Sequence, residues 1–254
     1  MEHNKKLSSG FAVVLAIGFI IGAVIISNTW KKVTSNNVTI NVTGSASKEI
    51  KSDLGIWQGS FTAEASTMQE AYKKLQEVNT IVKNYLISFG FPEDKIIFSA
   101  INTNPVTGYA SNKKLDYKNF RLQDFQEKVV SYTLGQSVQI EFSDVDKIES
   151  LSRRFTELIN QGISIYSEPP QFLYTKLSDL KIEMIGLASQ DAKTRAEQMA
   201  KATGNKLGDI RSSRTGVMQI NEKNSYDVSD YGNNDTKSLI KNITAVVNMN
   251  FLIE

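Results

Sequence analysis

The side chains that most often carry catalysis are scarce in this chain of 254 residues. Its one histidine is His3, and cysteine is absent, which excludes disulfides, thiol nucleophiles and thiolate metal sites. Because His3 precedes a long apolar segment, a histidine-based triad or a histidine-rich metal site in the rest of the chain is excluded as well. The remaining candidates are two close pairs of carboxylates, Asp144 with Asp146 and Asp227 with Asp230, which could do acid–base work.

Each carboxylate pair also has a simpler interpretation. Asp144 and Asp146 come at the start of a predicted helix, where the helix dipole favours negative charge. Asp227 and Asp230 belong to a hydrophilic loop, and the stretch DVSDYGNND (227–235) lacks the spacing and the distal glutamate of a calcium loop. Neither common phosphate-binding glycine motif occurs. We therefore predict no catalytic residue, no metal site and no bound cofactor.

The charge balance argues against a nucleic-acid partner. The chain has 29 basic and 27 acidic side chains, a net charge of +2, whereas nucleic-acid binding needs clustered lysine and arginine. With 41% hydrophobic residues the composition is that of an ordinary globular protein, long enough to bury a core. We expect a folded body with no affinity for nucleic acid.

The N-terminal segment predicts a membrane span. No charged residue occurs between Lys6 and Lys31, and as a helix the apolar run with its uncharged flanks reaches about 36 Å, which crosses a hydrocarbon core. Trp30 would lie at the membrane interface with Lys31 and Lys32 just beyond it. The stretch VIISNTW (24–30) is a poor cleavage site, so an anchor is favoured over the alternative, a cleaved signal peptide. These features predict a tail at 1–9, an anchor at 10–30 and a polar linker at 31–37.

Beyond residue 37, period-two and period-3.6 patterns alternate along the chain. Strands are predicted at 38–44, 56–65, 95–101, 130–142, 163–175, 208–220 and 239–254, with a break at Pro169 and Pro170. Helices are predicted at about 67–89, 143–161 and 177–203, with Thr67 and Ser143 as the N-caps of the first two. Polar loops are predicted at 102–125 and 225–238. Each strand has one apolar side and each helix one apolar stripe. The pattern predicts one α+β domain at 38–254, an antiparallel sheet with helices packed on one face.

The last predicted helix has an alanine at every fourth position, in the set Ala188, Ala192, Ala196 and Ala200. Residues four apart form one ridge of a helix, and methyl groups on that ridge let a neighbouring backbone approach closely. The favoured interpretation is close packing within the chain. The alternative is that the ridge forms a subunit contact or shapes a binding groove.

These residues carry a resemblance to a known family. LASQDAKTRAEQMAKATGNKLGDI (187–210) resembles the hallmark helix of SIMPL-domain proteins, with a DA-x-x-RA core followed by a glycine and a Leu-Gly turn. The matching positions are Ala188, Asp191, Ala192, Arg195, Ala196, Ala200, Gly204, Leu207 and Gly208. Upstream segments such as WQGSFTAEA (57–65) and YTLGQSVQIEF (132–142) fall where such proteins carry comparable ones, so the resemblance covers about residues 38–253.

The resemblance implies an exported or envelope-anchored α+β protein and supplies no catalytic residues. Some bacterial relatives form ring-like, channel-shaped oligomers, and some are tied to oxidative-stress tolerance. It implies here a cytoplasmic N-terminus, a body in the periplasm or outside the cell, and a non-enzymatic homo-oligomer with a structural or stress-related role. The candidate packing or oligomer residues are Ala188, Ala192, Ala196, Ala200, Gly204 and Gly208. The retained anchor and the polar stretch at 102–125 leave the oligomer geometry open.

Two other functions stay open at this point. The body could be a binding module that captures a peptide, a glycan or an envelope partner through its outer sheet face or its loops at 102–125 and 221–238. Its tyrosines could anchor such an interface or simply be amphipathic sheet residues: 109, 117, 132, 166, 174, 226 and 231. The third hypothesis is a hydrolase that uses Asp227 and Asp230.

Overall fold

A long helix opens the chain. The structure is a computed structural model that describes residues 3–35, 38–111 and 125–254. Helix α1 (His3–Ser35) contains the predicted anchor and continues through most of the segment predicted as a polar linker. It also begins inside the predicted tail. The flanks differ from the expectation because residues 31–35 contain neither proline nor glycine, so nothing in the backbone stops the helix where the apolar run ends.

The predicted α+β class is confirmed, and its strands divide into two antiparallel sheets rather than one. The elements after α1 are β1 (Thr39–Lys51), β2 (Leu54–Ala65), α2 (Met68–Ser88), β3 (Ile96–Phe98), β4 (Asn102–Ser111), β5 (Phe125–Phe142), α3 (Val145–Arg154), β6 (Ser164–Ser167), β7 (Gln171–Leu173), α4 (Leu177–Ala202), β8 (Leu207–Thr215), β9 (Gln219–Glu222) and β10 (Ile240–Ile253). Strands β2 to β7 form what we term the central sheet, and β1, β8, β9 and β10 form the terminal sheet.

The terminal sheet is built around its last strand. β10 pairs with β1 along the full length of both, from Thr39 opposite Leu252 to Lys51 opposite Ile240. On its other side β10 pairs first with β9 and then with β8. Alternate β10 residues such as Ile243 are buried, and α4 packs across β1, β10 and β8 on that face. The opposite face of this sheet is not covered by a helix among the described elements.

The central sheet has β2 and β5 at its middle. β5 pairs with β2 over residues 132–142, while the short strands β6 and β7 extend the β2 side. Pro169 and Pro170 separate β6 from β7, as the sequence predicts. Helices α2 and α3 pack on one face of this sheet, where Trp57, Phe61 and Phe155 are among the largest buried side chains. Thus each sheet has its own helix layer and its own core.

The helix ends follow the capping rules with one correction. Thr67 caps α2 by accepting a hydrogen bond from the Glu70 amide, as predicted. The second helix is capped by Asp144 and not by Ser143, because the Asp144 carboxylate accepts the Lys147 amide. Its last part, Phe155–Gln161, is a 3₁₀ helix. The α4 boundaries agree with the predicted 177–203.

The prediction of a loop at 102–125 is wrong for the described part of that segment. Residues Asn102–Ser111 form β4, which pairs with β5 from Gly135 to Phe125, so β5 begins earlier than predicted. Its sequence, NTNPVTGYAS, has no apolar alternation because most of β4 is exposed, so the period-two signal is missing. Residues 112–124 lie outside the described part of the chain.

Candidate functional site

The helix α1 has the length and composition of a membrane span. Its most apolar window, Val13–Trp30, has a mean hydropathy of 2.1, and none of that window is buried against the rest of the protein. A signal sequence would pass the same test of length and composition. Trp30 is exposed at the end of this window, and Lys31 and Lys32 continue the helix, with side chains outside the described part of the structure.

The alanine ridge of α4 is buried inside the chain. Ala188, Ala192, Ala196 and Ala200 have almost no exposed surface and face β1 and β10. Gly204 follows the helix in the left-handed conformation, at φ 77°, which favours glycine. Gly208 lies in β8, where a β-carbon would come within 3.1 Å of the Leu252 β-carbon. The four alanines thus pack within the chain, whereas Gly204 is exposed and Gly208 is half-buried.

The closest approach to the ridge is made by Gly44 of β1. A β-carbon on Gly44 would lie 2.3 Å from the Ala188 carbonyl oxygen and 2.4 Å from the Ala192 nitrogen. Atoms of real side chains do not come that close to backbone atoms. The small ridge and this glycine therefore form one contact, in which a strand backbone lies directly on a helix backbone.

Asp191 fixes the same contact by hydrogen bonding. Its carboxylate accepts the Ser45 amide at 2.8 Å and the Arg195 guanidinium at 2.8 Å. Those two donors, the Ser45 amide first, hold the pKa of Asp191 below its usual value. Because β1 pairs only with β10 among the described strands, the carboxylate also occupies a backbone donor on the open edge of the sheet.

The shifted pKa predicts a dependence of stability on pH. The folded protein holds the Asp191 carboxyl at a lower pKa than the unfolded chain does, so its stabilisation is fully present above the unfolded value of about 3.9. That stabilisation is lost as the pH falls through the folded value. We expect Asp191→Asn to be less stable than the wild type at pH 7, with the difference shrinking on acidification. Urea unfolding at several pH values measures it, and a difference that does not depend on pH would contradict the assignment.

The carboxylates of the two candidate acid–base pairs either make structural contacts or lie in a loop. Asp144 is the α3 cap described above, and Asp146 forms an ion pair with Lys51 at 2.6 Å. Asp227 accepts a hydrogen bond from the Ser225 hydroxyl at 3.0 Å. Within residues 3–35, 38–111 and 125–254, no three histidine or carboxylate side chains converge in a way that could hold a metal ion.

Sequence reasoning missed Lys241, a buried lysine. Its ammonium group donates to the Phe172 carbonyl at 2.5 Å and to the Asp235 carbonyl. Burial lowers the pKa of Lys241, against the opposing attraction of Asp235. Phe172 lies in β7 and Lys241 in β10, so the side chain ties the central sheet to the terminal sheet. Its position in the alternating β10 pattern marks it as inward-facing, which is the only signal that the sequence carries.

The segment between β9 and β10, residues 223–238, forms a loop held by buried amides; we term it the tyrosine loop. Gln219 accepts the Asn233 amide at 2.9 Å and the Ser229 amide at 3.3 Å, and it donates to the Ser229 carbonyl at 2.8 Å. Asn221 donates to the Asp227 carbonyl at 2.7 Å. Gln219 and Asn221 alternate with Ile220, which packs on the α4 side, so their side chains point away from α4. Residues 233–235 of the loop bond to the Ile220 backbone beside β9.

This loop presents apolar side chains to solvent. Tyr226 is 92% exposed, Val228 is 82% exposed and Tyr231 is 97% exposed. Between them lie Asp227 and Asp230, so the projecting surface is both aromatic and acidic. Gly232 closes the turn at φ 85°, where a side chain would also meet Val217. A loop with this many internal hydrogen bonds holds its exposed rings at little entropic cost on binding.

Replacing Gln219 by leucine is expected to release the tyrosine loop. The substitution leaves the Ser229 amide and carbonyl and the Asn233 amide without their partner, which costs about 1–3 kcal/mol. Amide hydrogen exchange across 225–235 should rise, with a lower thermal midpoint. The exposed Gln198→Leu on α4 is the matched control and should change stability by less than about 0.5 kcal/mol. Unchanged exchange in the Gln219 variant would contradict the role given to that side chain.

The second projecting feature is the hairpin of β4 and β5. Among the described strands, residues 125–131 of β5 pair only with β4, because β2 and β3 pair with β5 at 132–142. This two-stranded part, which we term the ribbon, extends about 24 Å beyond the sheet. Val129 and Val130 are exposed on it. A β-carbon on Gly108, in the other strand, would lie 3.0 Å from a Val130 methyl carbon.

Comparison with known proteins identifies the architecture and no reaction. Comparison with curated proteins finds no match to the chain. The SIMPL family model, described as a protein of unknown function (DUF541), matches residues 40–251, from the second residue of β1 to two residues before the end of β10. That match includes the alanine ridge, Gly44, Asp191 and both projecting features. With its whole folded body covered by the family model, the chain belongs to the SIMPL family.

Proposed function

We propose that this protein is a membrane-anchored, self-assembling protein of the cell envelope with a structural or stress-related role and no catalytic activity. In this proposal α1 crosses the membrane, the N-terminus is cytoplasmic, and the two-sheet body lies in the periplasm or outside the cell. The segment Val13–Trp30 supports the anchor by its length and hydropathy. Assembly with copies of itself is the part of the proposal that the ribbon supports.

The ribbon is the observation that carries self-assembly. A two-stranded hairpin alone in water is marginally stable, and three strands or a packed face are needed to hold one. Among the described residues, positions 125–131 of β5 have no third strand beside them and no packed face. The ribbon also exposes Val129 and Val130. A second molecule that covers this apolar surface would remove it from water and so stabilise the ribbon.

Confinement to a membrane favours a second copy as that molecule. Anchored copies share one plane and one orientation, so their effective concentration is far higher than in free solution. A weak contact between bodies then suffices for assembly.

The absence of catalysis is proposed from how the polar groups are used. Asp144, Asp146 and Asp191 serve as a helix cap, an ion-pair partner and a clamp on β1. Lys241, whose lowered pKa is the one feature typical of a catalytic lysine, is buried and donates to two backbone carbonyls.

The mass of the full chain, extracted in detergent or in native lipid discs, tests this function. We expect an oligomer at micromolar concentration and a shift toward monomer in Val129→Asp with Val130→Asp, because two charges on the ribbon oppose its burial. Ile182→Asp, at a 71% exposed position on α4, is the control and should leave the mass unchanged. A wild-type monomer at micromolar concentration would contradict self-assembly.

A binding module is the second candidate, and the exposed rings of the tyrosine loop favour it. In that case the body would be a monomer or small oligomer that captures a peptide, a glycan or an envelope partner. Replacing the loop by a short glycine–serine linker should then abolish capture of that partner from native membranes while the mass stays the same. Unchanged capture after the replacement would remove this candidate.

A further inference from the structure

The ribbon lacks a strand on one side. β5 continues past the end of β2, so residues 125–131 of β5 pair only with β4 among the described strands. The backbone N–H and C=O groups on the other side of that stretch can accept a further strand. The outer side of β4 is a poorer place for one, because Pro105 has no N–H to donate. An added strand therefore fits best beside β5.

Strand β8 is an open edge of the terminal sheet. In the described part of the chain, β8 pairs with β10 alone, in a register that places Ser212 opposite Asn250. The Gly216 amide, directly after β8, donates to a β10 carbonyl, so the even-numbered residues here turn their backbone groups toward β10. The backbone groups of Ser213 and Thr215 therefore point to the outside of the sheet.

A groove of about 750 Å³ lies between β8 and α4. It is present because α4 packs mainly over β1 and β10, which leaves the β8 side of that face uncovered. Ile210, Met249 and Phe251 contribute apolar side chains to the groove, and Ile210 is 51% exposed. The ion pair of Lys193 with Glu197 lines it on the α4 side. A strand beside β8 would extend this face and place alternate side chains over the groove.

The opposite edge of the terminal sheet is less suited to an added strand. β1 also pairs only with β10 among the described strands, but the Asp191 carboxylate already accepts the Ser45 amide in the middle of its edge. A strand added there would have to displace a carboxylate that Arg195 holds in place. β8 contains no proline, so each of its residues has an amide to donate. The β8 edge is therefore the better acceptor.

We propose that the ribbon of one copy adds to the β8 edge of a neighbouring copy, with β5 lying beside β8 next to the groove. This inference rests on the self-assembly proposed above and names the surface that receives the ribbon. Addition of a strand to an exposed sheet edge is a common mode of recognition, in which main-chain hydrogen bonds give affinity. It supplies the third strand that the ribbon lacks, and Val129 with Val130 bring apolar area to the groove.

The two edges meet between copies because they belong to different sheets of one chain. The ribbon extends the central sheet and β8 closes one side of the terminal sheet, and within one copy these described strands do not pair. A contact between two different surfaces is heterologous, and such contacts generate closed rings or open filaments. Each copy in the membrane gives its ribbon to one neighbour and receives the ribbon of the other. Confinement of the anchors to one plane favours this contact.

Disulfide trapping tests this contact directly, because the chain contains no cysteine. A chain with Ser213→Cys and one tag is co-expressed in its native membrane with a chain that carries Val129→Cys and a second tag. We expect an oxidant to give a disulfide-linked dimer that contains both tags. Replacing the first variant by Ser47→Cys, an exposed serine on the β1 edge, should lower the yield about tenfold, to the level of random collision in the membrane.

Proline substitution supplies the second readout. Ser213→Pro removes an amide donor that faces outward, and the pairing of β8 with β10 does not use that donor. We expect the apparent dissociation constant of the full chain to rise at least about tenfold, measured by mass at several concentrations. Ser47→Pro is the matched control on β1, where the Ser47 amide faces outward as the Ser45 amide does, and it should assemble as the wild type does.

The outcomes separate this inference from the function on which it rests. A wild-type monomer would overturn self-assembly itself. A wild-type oligomer in which the two-tag disulfide of Ser213→Cys does not exceed the Ser47→Cys level would overturn the inference alone. So would a Ser213→Pro chain that keeps the wild-type circular dichroism spectrum and also the wild-type dissociation constant. If Ser213→Pro does not fold, the disulfide decides, because cysteine and serine are similar in size.

Discussion

Replacing Gly44 with valine should prevent the terminal sheet from packing against α4. The new β-carbon would lie 2.3 Å from the Ala188 carbonyl oxygen and 2.6 Å from the Ala192 methyl carbon. Overpacking a core commonly costs about 1–3 kcal/mol when side chains can move aside. Here the obstacle is helix backbone, so we expect the loss to exceed about 3 kcal/mol. In a body of this size that lowers the thermal midpoint by at least roughly 6–12 °C.

Unfolding of the detergent-solubilised protein, followed by circular dichroism, measures this loss. Gly186→Ala is the matched control, because Gly186 lies on the exposed side of α4 with no atom within 4 Å of an added methyl group. Alanine is a better helix former than glycine, so the control should gain about 0.8–1 kcal/mol. A Gly44→Val protein that unfolds at the wild-type temperature would show that β1 does not contact the α4 backbone as described.

The alanine pattern of α4 shows which structural features the local sequence can predict and which it cannot. A methyl group at every fourth position of α4 predicts a close neighbour, and the limits of α4 follow from the same periodicity and from Gly204. The sequence does not identify the neighbour. Gly44 contacts Ala188 and Ala192 across a long stretch of intervening chain, and a lone glycine in a polar strand has many explanations. Periodicity encodes which side of an element is buried, whereas the element that covers it is a non-local property.

Because the sequence shows which side of an element is buried and not what covers it, neither the number of sheets nor strand β4 was predicted. Each strand pattern shows one apolar side, which is equally consistent with one sheet under three helices or with two sheets, each under its own helices. β4 was not predicted because its side chains are exposed and alternation appears only where one face is buried. The role of Gln219 was not predicted because the residue type alone does not distinguish a buried glutamine that holds a loop from a solvated one.

The family signature can now be assigned a physical meaning. Within the DA-x-x-RA core, Asp191 accepts the Ser45 amide, Arg195 orients that carboxylate, and Ala192 and Ala196 admit the β1 backbone. Each of these residues serves the contact between one helix and one strand. A motif of this kind specifies an architecture and leaves the exposed surfaces free to differ. Function in this chain is therefore to be sought in the ribbon and the tyrosine loop, which lie outside the motif.

Two arginines in the middle of α1 should release the protein from the membrane. The window Val13–Trp30 contains ten Val, Leu, Ile and Phe residues, each worth about −0.3 to −0.6 kcal/mol for insertion at the helix centre. Ile17→Arg with Ile21→Arg leaves eight of them, roughly −2.5 to −5 kcal/mol, and adds about 5–7 kcal/mol for two charges. The balance changes sign, so the span should no longer insert.

Extraction of membranes with alkaline carbonate measures this change. We expect the wild-type chain to remain in the membrane fraction, and the arginine variant to appear in the soluble fraction or to be degraded without export. Ile17→Leu with Ile21→Leu keeps the hydrophobicity and should behave as the wild type. A wild-type chain that is found soluble and begins beyond Ser27 would identify the segment as a cleaved signal peptide. The proposed assembly would then lose the membrane confinement by which a weak contact between bodies suffices.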